Sequence, residues 1–247
     1  MNNGYIAVMD SGIGGLSTLN LLTKELPRER FLYFGDNFNA PYGEKSYTLL
    51  NILAVSNLRK IFDREVKAVL FACNTLSVNV LLNAKTLLPV PVFGVFPPVE
   101  KAVAERKKTM LFCTPKTAER YKNSEYLKVI PLKRLAHSIE TNAAAPYNTD
   151  LKQHLFSSEE YRICTEEKFS PDAVILGCTH YNFIKNQFYD HFCPATIQSG
   201  DEIAVFALKN YLARSGNLAN HNIFTVDFIG ECAKKNEIIF NMVVKNR

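Results

Sequence analysis

Two stretches of this chain follow the same local plan, and that duplication limits the fold more than any other feature. Val69-Leu70-Phe71-Ala72-Cys73-Asn74-Thr75 and Val174-Ile175-Leu176-Gly177-Cys178-Thr179-His180 each run an apolar segment into a small residue, a cysteine and two polar residues. A second pair of landmarks is the turn at Asp10-Ser11 and the turn at Thr114, which follows Met110-Leu111-Phe112-Cys113. The offset from Asp10 to Thr114 matches the offset from Cys73 to Cys178 to within one residue. Landmarks that move together predict two similar halves, the second starting near residue 97. Pro97-Pro98 suits a crossing between them, because proline disfavours continued regular structure.

Between the landmarks, short apolar runs alternate with longer amphipathic ones. Strands are expected at Ile6–Met9, Phe31–Phe34, Ala68–Ala72 and Val92–Phe96, then at Met110–Cys113, Leu127–Ile130, Ala173–Leu176, Thr196–Gln198 and Ile223–Ile229. Helices are expected at Gly15–Leu26, Tyr47–Asp63, Thr75–Leu87 and Glu202–Arg214. Leu16, Leu19, Leu22 and Leu26 keep helical spacing in the first of these. The alternation predicts α/β halves on mostly parallel sheets. The chain is expected to cross back near Ser199-Gly200. That gives a first domain of residues 1–96 plus about 204–247 and a second of 97–203. Ligands bind at the carboxyl ends of strands in such sheets. Asp10-Ser11-Gly12, Gly35-Asp36, Cys73-Asn74-Thr75 and Cys178-Thr179-His180 all fall there.

Composition narrows the partners. Lys and Arg number 29 against 24 Asp and Glu, for a net charge of +5. The basic residues are scattered, so no nucleic-acid surface is expected. No apolar run approaches the ~18 residues that span a membrane. The run Tyr5–Met9 meets Asp10 without a basic leader or a cleavage site, so a cytoplasmic protein is expected. The six cysteines are dispersed without a CxxC pair and are expected as free thiols.

The paired cysteines carry the chemistry. A cysteine between a strand and a helix sits at the helix N-terminus, where the dipole favours thiolate. The same N-terminus offers N–H groups to a carboxylate, with Asn74, Thr75 and Thr179 as further donors. Two such units face to face would hold one α-carboxylate and aim two thiols at one carbon. Removing a proton from one face and returning one to the other inverts that carbon, and this takes two acid/base groups. Asp10 and His180 are placed to assist them. Plainer readings stand beside this. A cysteine at a strand end is often a buried small hydrophobe, and Cys113, Cys164, Cys193 and Cys232 are expected in that group or near the surface. Asp10-Ser11-Gly12 also suits a turn and helix cap, and His180 suits a cap or a satisfied histidine. Cys178-x-His180 has no companion at metal-ligand spacing, so no metal is expected. Gly12-Ile13-Gly14-Gly15 has the look of a dinucleotide fingerprint, but Ser17 stands at the third glycine and Asp10 opposes a phosphate.

Together these blocks resemble the signatures of bacterial glutamate racemases, within the aspartate/glutamate racemase family. The blocks are Asp10-Ser11-Gly12-Ile13-Gly14-Gly15, Gly35-Asp36 with Pro41-Tyr42-Gly43, Ala72-Cys73-Asn74-Thr75 and Gly177-Cys178-Thr179-His180-Tyr181. Ser199-Gly200 with Ile203-Ala204 adds a further one. The resemblance implies an α/β fold of two pseudo-symmetric doubly wound domains with the active site in the interdomain cleft. It implies no cofactor: no PLP, metal or nucleotide. Cys73 and Cys178 would be the two bases, with Asp10 assisting Cys73 and His180 assisting Cys178. Ser11, Asn74, Thr75 and Thr179 would hold the amino-acid head group, and Pro41, Tyr42 and Gly43 would seat the side-chain carboxylate. Glu140, in Leu135-Ala136-His137-Ser138-Ile139-Glu140, resembles an acidic position near the site. The product would be D-glutamate for cell-wall synthesis, and a homodimer is among the assemblies the resemblance allows.

The chain also departs from the pattern. Asn37-Phe38-Asn39-Ala40 replaces a stretch that usually holds a small polar residue and an arginine. Leu76 replaces a small residue, Asn182 a proline, and Phe96-Pro97-Pro98 a segment that usually carries an acid. Cys113-Thr114 stands for Gly-Thr, and the Thr-Gly-Asp usual near the C-terminus is not recognisable. These changes motivate two alternatives: a racemase for another amino acid such as aspartate, or a non-catalytic protein that kept the ligand cleft.

Overall fold

The computed structural model describes residues 3–142 and 169–245. Strands β1 (Tyr5–Asp10), β2 (Arg30–Gly35), β3 (Val66–Phe71), β4 (Val92–Gly94) and β9 (Thr225–Ile229) form a five-stranded sheet in the order β4-β3-β1-β2-β9. Strands β5 (Thr109–Cys113), β6 (Leu127–Pro131), β7 (Ala173–Gly177) and β8 (Thr196–Ser199) form a four-stranded sheet in the order β6-β5-β7-β8. Every pairing is parallel. Taken from its other edge, the second sheet runs β8-β7-β5-β6. Each of β1 to β4 therefore has a counterpart in β5 to β8, and the repeated cysteine segments are β3 and β7 with their exits. Strand β9 breaks the symmetry by returning to the edge of the first sheet beside β2.

The helices are α1 (Leu16–Glu25), α2 (Tyr47–Phe62), α3 (Asn74–Leu87), α4 (Val99–Ala104), α5 (Pro115–Ala118), α6 (Leu135–Thr141), α7 (Lys185–Phe192), α8 (Asp201–Arg214) and α9 (Ala233–Lys245). Strand β1 shows why the apolar runs are continuous rather than alternating. Ile6 and Val8 face a core shared with Leu16, Leu19 and Leu22 of α1. Ala7 and Met9 face the opposite core, with Leu50 and Leu58 of α2 and Leu76 and Val80 of α3. Helices cover both faces, so both faces of the strand must be apolar. Each fully buried leucine or isoleucine contributes roughly 1.5–3 kcal/mol.

Several strand boundaries differ from expectation by one residue and three by two, among them the start of β9 at Thr225 rather than Ile223. Strand β3 begins at Val66, before the expected Ala68. The intervening Lys67 is buried, with its ammonium 2.5 Å from the Glu29 carboxylate and 2.8 Å from the Asn217 carbonyl. A distant partner makes a charged residue tolerable inside a strand, and local sequence cannot show that partner. Strand β4 ends at Gly94, two residues before the expected Phe96, as the chain approaches Pro97-Pro98.

The topology places the site. From β1 the chain goes to β2 on one side and then crosses to β3 on the other, so a crevice opens between the carboxyl ends of β1 and β3. The same crossing opens a second crevice between β5 and β7. A polar knot then joins the halves. The Asn182 amide, just after β7, donates to Ser17 Oγ at 3.2 Å and to Asp201 Oδ2 at 2.9 Å. The Thr18 hydroxyl donates to Asp201 Oδ1. Helix α1, the turn that follows β7 and the first residue of α8 are thereby fixed to one another. The asparagine that stands in place of a proline is what makes this tie.

Candidate active site

Both crevices open onto one narrow cavity. Ser11, Pro41, Tyr42, Gly43, Cys73, Asn74 and Thr75 line it from the first half, and Thr114, Ala136, Cys178, Thr179 and His180 from the second. The two cysteines that the repeat singled out thus border the same space. Cys113, by contrast, faces the apolar core with Leu111 and Ile175. Cys193 is exposed and Cys232 half-buried, and all five of these thiols are free. Cys164 lies outside the described residues.

Cys73 occupies the N-cap position of α3. Its sulfur accepts from the Leu76 backbone N–H and pairs with the Ser11 hydroxyl. Those contacts and the helix terminus were expected to favour thiolate. Burial outweighs them. Helped by the neighbouring charge of Asp10 and by Cys178, it pushes the Cys73 thiol up to about 12. Cys73 therefore rests as the protonated partner. Leu76 itself is buried in the core beneath the sheet, so its departure from the family pattern is absorbed by packing.

The Cys178 side is arranged differently. Its sulfur lies 3.8 Å from His180 Nδ1, and His180 Nε2 lies 2.8 Å from Glu140 Oε2. Burial alone would lower the His180 pKa, but the bonds to Cys178 and Glu140 reverse this and hold it well above the ordinary imidazole value. Burial alone would likewise raise Glu140. The hydrogen bond and charge of His180, with the Ile13 N–H and Asn37, hold it down to about 2. The pair is an imidazolium and a carboxylate. Glu140 thus stands behind His180, as a residue that orients it rather than one that borders the cavity.

Asp10, at the end of β1, accepts from the Gly12 N–H at 3.0 Å and from the Thr179 hydroxyl at 3.1 Å. The second of these bonds spans the two halves. Burial raises Asp10 to about 6, and Glu140 adds to that, against the charge of His180 and the two hydrogen bonds. A carboxyl whose folded pKa exceeds its unfolded value binds more protons when folded. Stability therefore falls as pH rises from about 4 to about 6 and stays lower above that window. Asp10→Asn removes this titration. In urea unfolding, the drop in midpoint between pH 4 and pH 7 is expected to be smaller than in the parent, while racemisation slows; an unchanged pH dependence would contradict the assignment.

Several expected head-group ligands are already engaged. The Asn74 amide donates to the Val95 carbonyl at 3.0 Å. Thr75 Oγ1 lies 3.1 Å from Thr114 Oγ1 and 3.3 Å from Thr117 Oγ1, a hydroxyl cluster across the halves. The Tyr42 hydroxyl donates to Asp36, which also accepts from Asn39 and Asn57. Tyr42 therefore contributes its ring wall more than its hydroxyl, and Asp36 holds that wall in place. Gly43 is needed for contact: a Cβ there would fall 2.4 Å from Thr114 Cβ. Thr114 and Ala136 were not among the expected site residues. Thr114 had a signal in the sequence, as the partner of Asp10 in the repeat; Ala136 had none.

No protein-family model matches the chain. A glutamate racemase from Clostridium botulinum is 32% identical over 237 residues, which is 90% of this chain and 89% of that protein. The chain belongs to the glutamate racemase family. A glutamate racemase from Clostridium acetobutylicum is 31% identical over 86% of this chain and 85% of its own length. The solved glutamate racemase from Thermus thermophilus, in complex with β-chloro-D-alanine, superposes with a TM-score of 0.76 at 28% identity, covering 98% of this chain and 93% of that one. A Bacillus anthracis isoform shares the fold at a TM-score of 0.81 and 23% identity, over 100% of this chain and 94% of that one. Family membership makes this chain a racemase, an isomerase acting on amino acids. Among the described residues no helix is long and apolar enough to cross a membrane, and no three potential metal ligands cluster.

Proposed function

We propose that this chain interconverts L- and D-glutamate without a cofactor, by proton transfer between Cys73 and Cys178 across the substrate α-carbon. The observation that carries the proposal is that both thiols border one cavity from opposite halves. Their surroundings differ. Cys73 is held as a thiol. His180 carries a proton on Nδ1 that it can donate to the Cys178 sulfur when that sulfur is the thiolate. In one direction the thiolate of Cys178 takes the α-proton as the Cys73 thiol delivers its own to the opposite face. The sulfurs end with their states exchanged, and the reverse reaction starts from there. Helix α3 points its N-terminus at the cavity and supplies positive potential for the α-carboxylate, which also disperses the charge that develops on the α-carbon.

On this reading Ser11, Asn74, Thr75 and Thr179 border the head group, and Pro41, Tyr42 and Gly43 the side-chain end. Residues 1–96 with about 204–247 form one domain and 97–203 the other. The reaction would supply D-glutamate for peptidoglycan synthesis, with the protein in the cytoplasm.

Incubation with L-glutamate in deuterated water, without added cofactor, tests the proposal. Deuterium is expected at the α-carbon as circular dichroism decays to zero. Folded protein that leaves the α-carbon unlabelled would overturn it. Labelling of aspartate in preference to glutamate would move the assignment to another substrate.

A further inference from the structure

The Glu140 carboxylate is held by more than His180. Its Oε1 accepts from Asn37 Nδ2 at 2.6 Å and lies 3.6 Å from Lys235 Nζ. Asn37 Oδ1 in turn accepts from Asn236 Nδ2 at 3.0 Å. Asn236 sits on α9, near the end of the chain, and is fully buried. These bonds make one line: Asn236, Asn37, Glu140, His180, Cys178. Asn37 belongs to the stretch that departs from the family pattern.

The second observation is a cost. Asn236 Oδ1 is buried and has no hydrogen-bond donor among the described residues. A buried polar atom left without a partner destabilises a fold, and a leucine of similar size would avoid the loss. The amide is therefore not explained by packing. It is explained by what its nitrogen does. By donating to Asn37 Oδ1, it fixes which face of the Asn37 amide meets Glu140. Were that amide turned over, oxygen would face oxygen at Glu140 and nitrogen would face nitrogen at Asn236.

We infer that Asn37 and Asn236 are positioning residues for the Cys178 half-site, fixing Glu140 and through it His180, so that helix α9 forms part of the machinery. The inference rests on the racemase reading for its kinetic arm only. The charged and titratable groups around the pair are Asp10 from β1, Tyr33 from β2, Cys178 after β7, Lys235 on α9 and Cys232 just before it. None of these donates to Glu140 Oε1 at Asn37's distance.

The test uses Asn236→Leu, Asn37→Ala and Asn37→Ser, with two readouts. The first is kinetic. Asn236→Leu is expected to keep or raise Tm while kcat falls about tenfold, the order of the Asn37 bond to the charged Glu140 carboxylate that is lost when the Asn37 amide is no longer oriented, with KM within about twofold. Asn37→Ala should match it, and Asn37→Ser, which keeps a donor, should recover part of the loss. The second readout is proton NMR of the imidazoles in the ligand-free protein. The chain has five histidines, and the His180 signal is identified by its absence in His180→Gln. In Asn37→Ala that signal is expected to titrate at lower pH than in the parent. A parent-like kcat and a parent-like His180 titration would overturn the inference, as would a loss of Tm with kcat unchanged. Should the parent chain fail to label the α-carbon, the racemase reading falls, while the NMR comparison still decides the inference.

Discussion

Cys73→Ala and Cys178→Ala are each expected to abolish net racemisation, by at least ~10³-fold in kcat followed by circular dichroism, since a positioned acid or base contributes 10²–10⁴-fold. Inversion needs a proton taken from one face and a proton given to the other, and a missing sulfur leaves one face without its positioned acid or base. The variants should not be inert. A glutamate analogue carrying chloride on its β-carbon needs only one base: the remaining thiolate takes the α-proton, the C–H electron pair forms the C=C bond, and chloride leaves. Each single variant is therefore expected to release chloride from one enantiomer of the analogue and not the other, and the double variant from neither. Cys113→Ala is the control. That thiol is as deeply buried, but it faces the core beside Leu111 and Ile175. It should change kcat by less than about threefold and cost about 1 kcal/mol of stability, as expected for a small core truncation. Racemisation within tenfold of the parent by either cavity variant would remove the two-base mechanism.

The contrast between Cys113 and the cavity cysteines shows what the sequence made legible. All three end apolar strands. What set Cys73 and Cys178 apart was the repeat, because it ties strand order to position: β3 and β7 are the strands that cross to the far side of β1 and β5, so their ends face the crevices. The fold was legible for the same reason, since a doubly wound half needs apolar runs at regular intervals and each run is local. What stayed hidden was long-range polar pairing. Lys67 with Glu29, Asn37 with Glu140 and Asn236 with Asn37 join residues far apart in the chain. No periodicity marks such pairs, and each member alone resembles a solvated surface residue. The protonation of Cys73 was hidden for a related reason. Its place at a helix N-terminus can be read from sequence; the depth of its burial depends on the other half.

These pairings also explain how one pseudo-symmetric frame supports unequal half-sites. The sheets are equivalent strand by strand, yet Cys73 is attended by Ser11 and Asp10 and Cys178 by an imidazolium. A symmetric pair of thiols would meet the substrate from two identical surroundings. The difference arises from residues outside the repeat: Glu140 on α6, Asn37 after β2, and Asn236 on α9.

The second large effect is expected from the smallest change, Gly14→Ala. The glycine run Gly12-Ile13-Gly14-Gly15 has the look of a phosphate loop, but here it accommodates protein. A Cβ on Gly12 would fall 2.2 Å from Glu140 Oε2. A Cβ on Gly14 would fall 2.4 Å from Thr179 Oγ1, 2.7 Å from His180 Nδ1 and 2.9 Å from the His180 backbone nitrogen. The last contact decides the outcome, because a backbone atom held by the turn after β7 cannot swing aside as a side-chain tip can. One of the halves must shift, and the shift opens the Asp10–Thr179 bond and moves Cys178 relative to Cys73. Displacements near 1 Å can cost ~10² in rate, so kcat for Gly14→Ala is expected to fall at least a hundredfold. The strain should also lower stability by about 1–3 kcal/mol, the usual cost of overpacking. The two measurements separate causes: α-deuteration and the urea midpoint on the same preparation should show a rate loss well below the melting range. Gly216→Ala serves as the comparison. Its added Cβ meets nothing within 4 Å, though its φ of +66° strains any L-residue. That variant should lose stability and keep its rate. If Gly14→Ala behaves the same way, the two halves do not depend on this close approach to align the sulfurs.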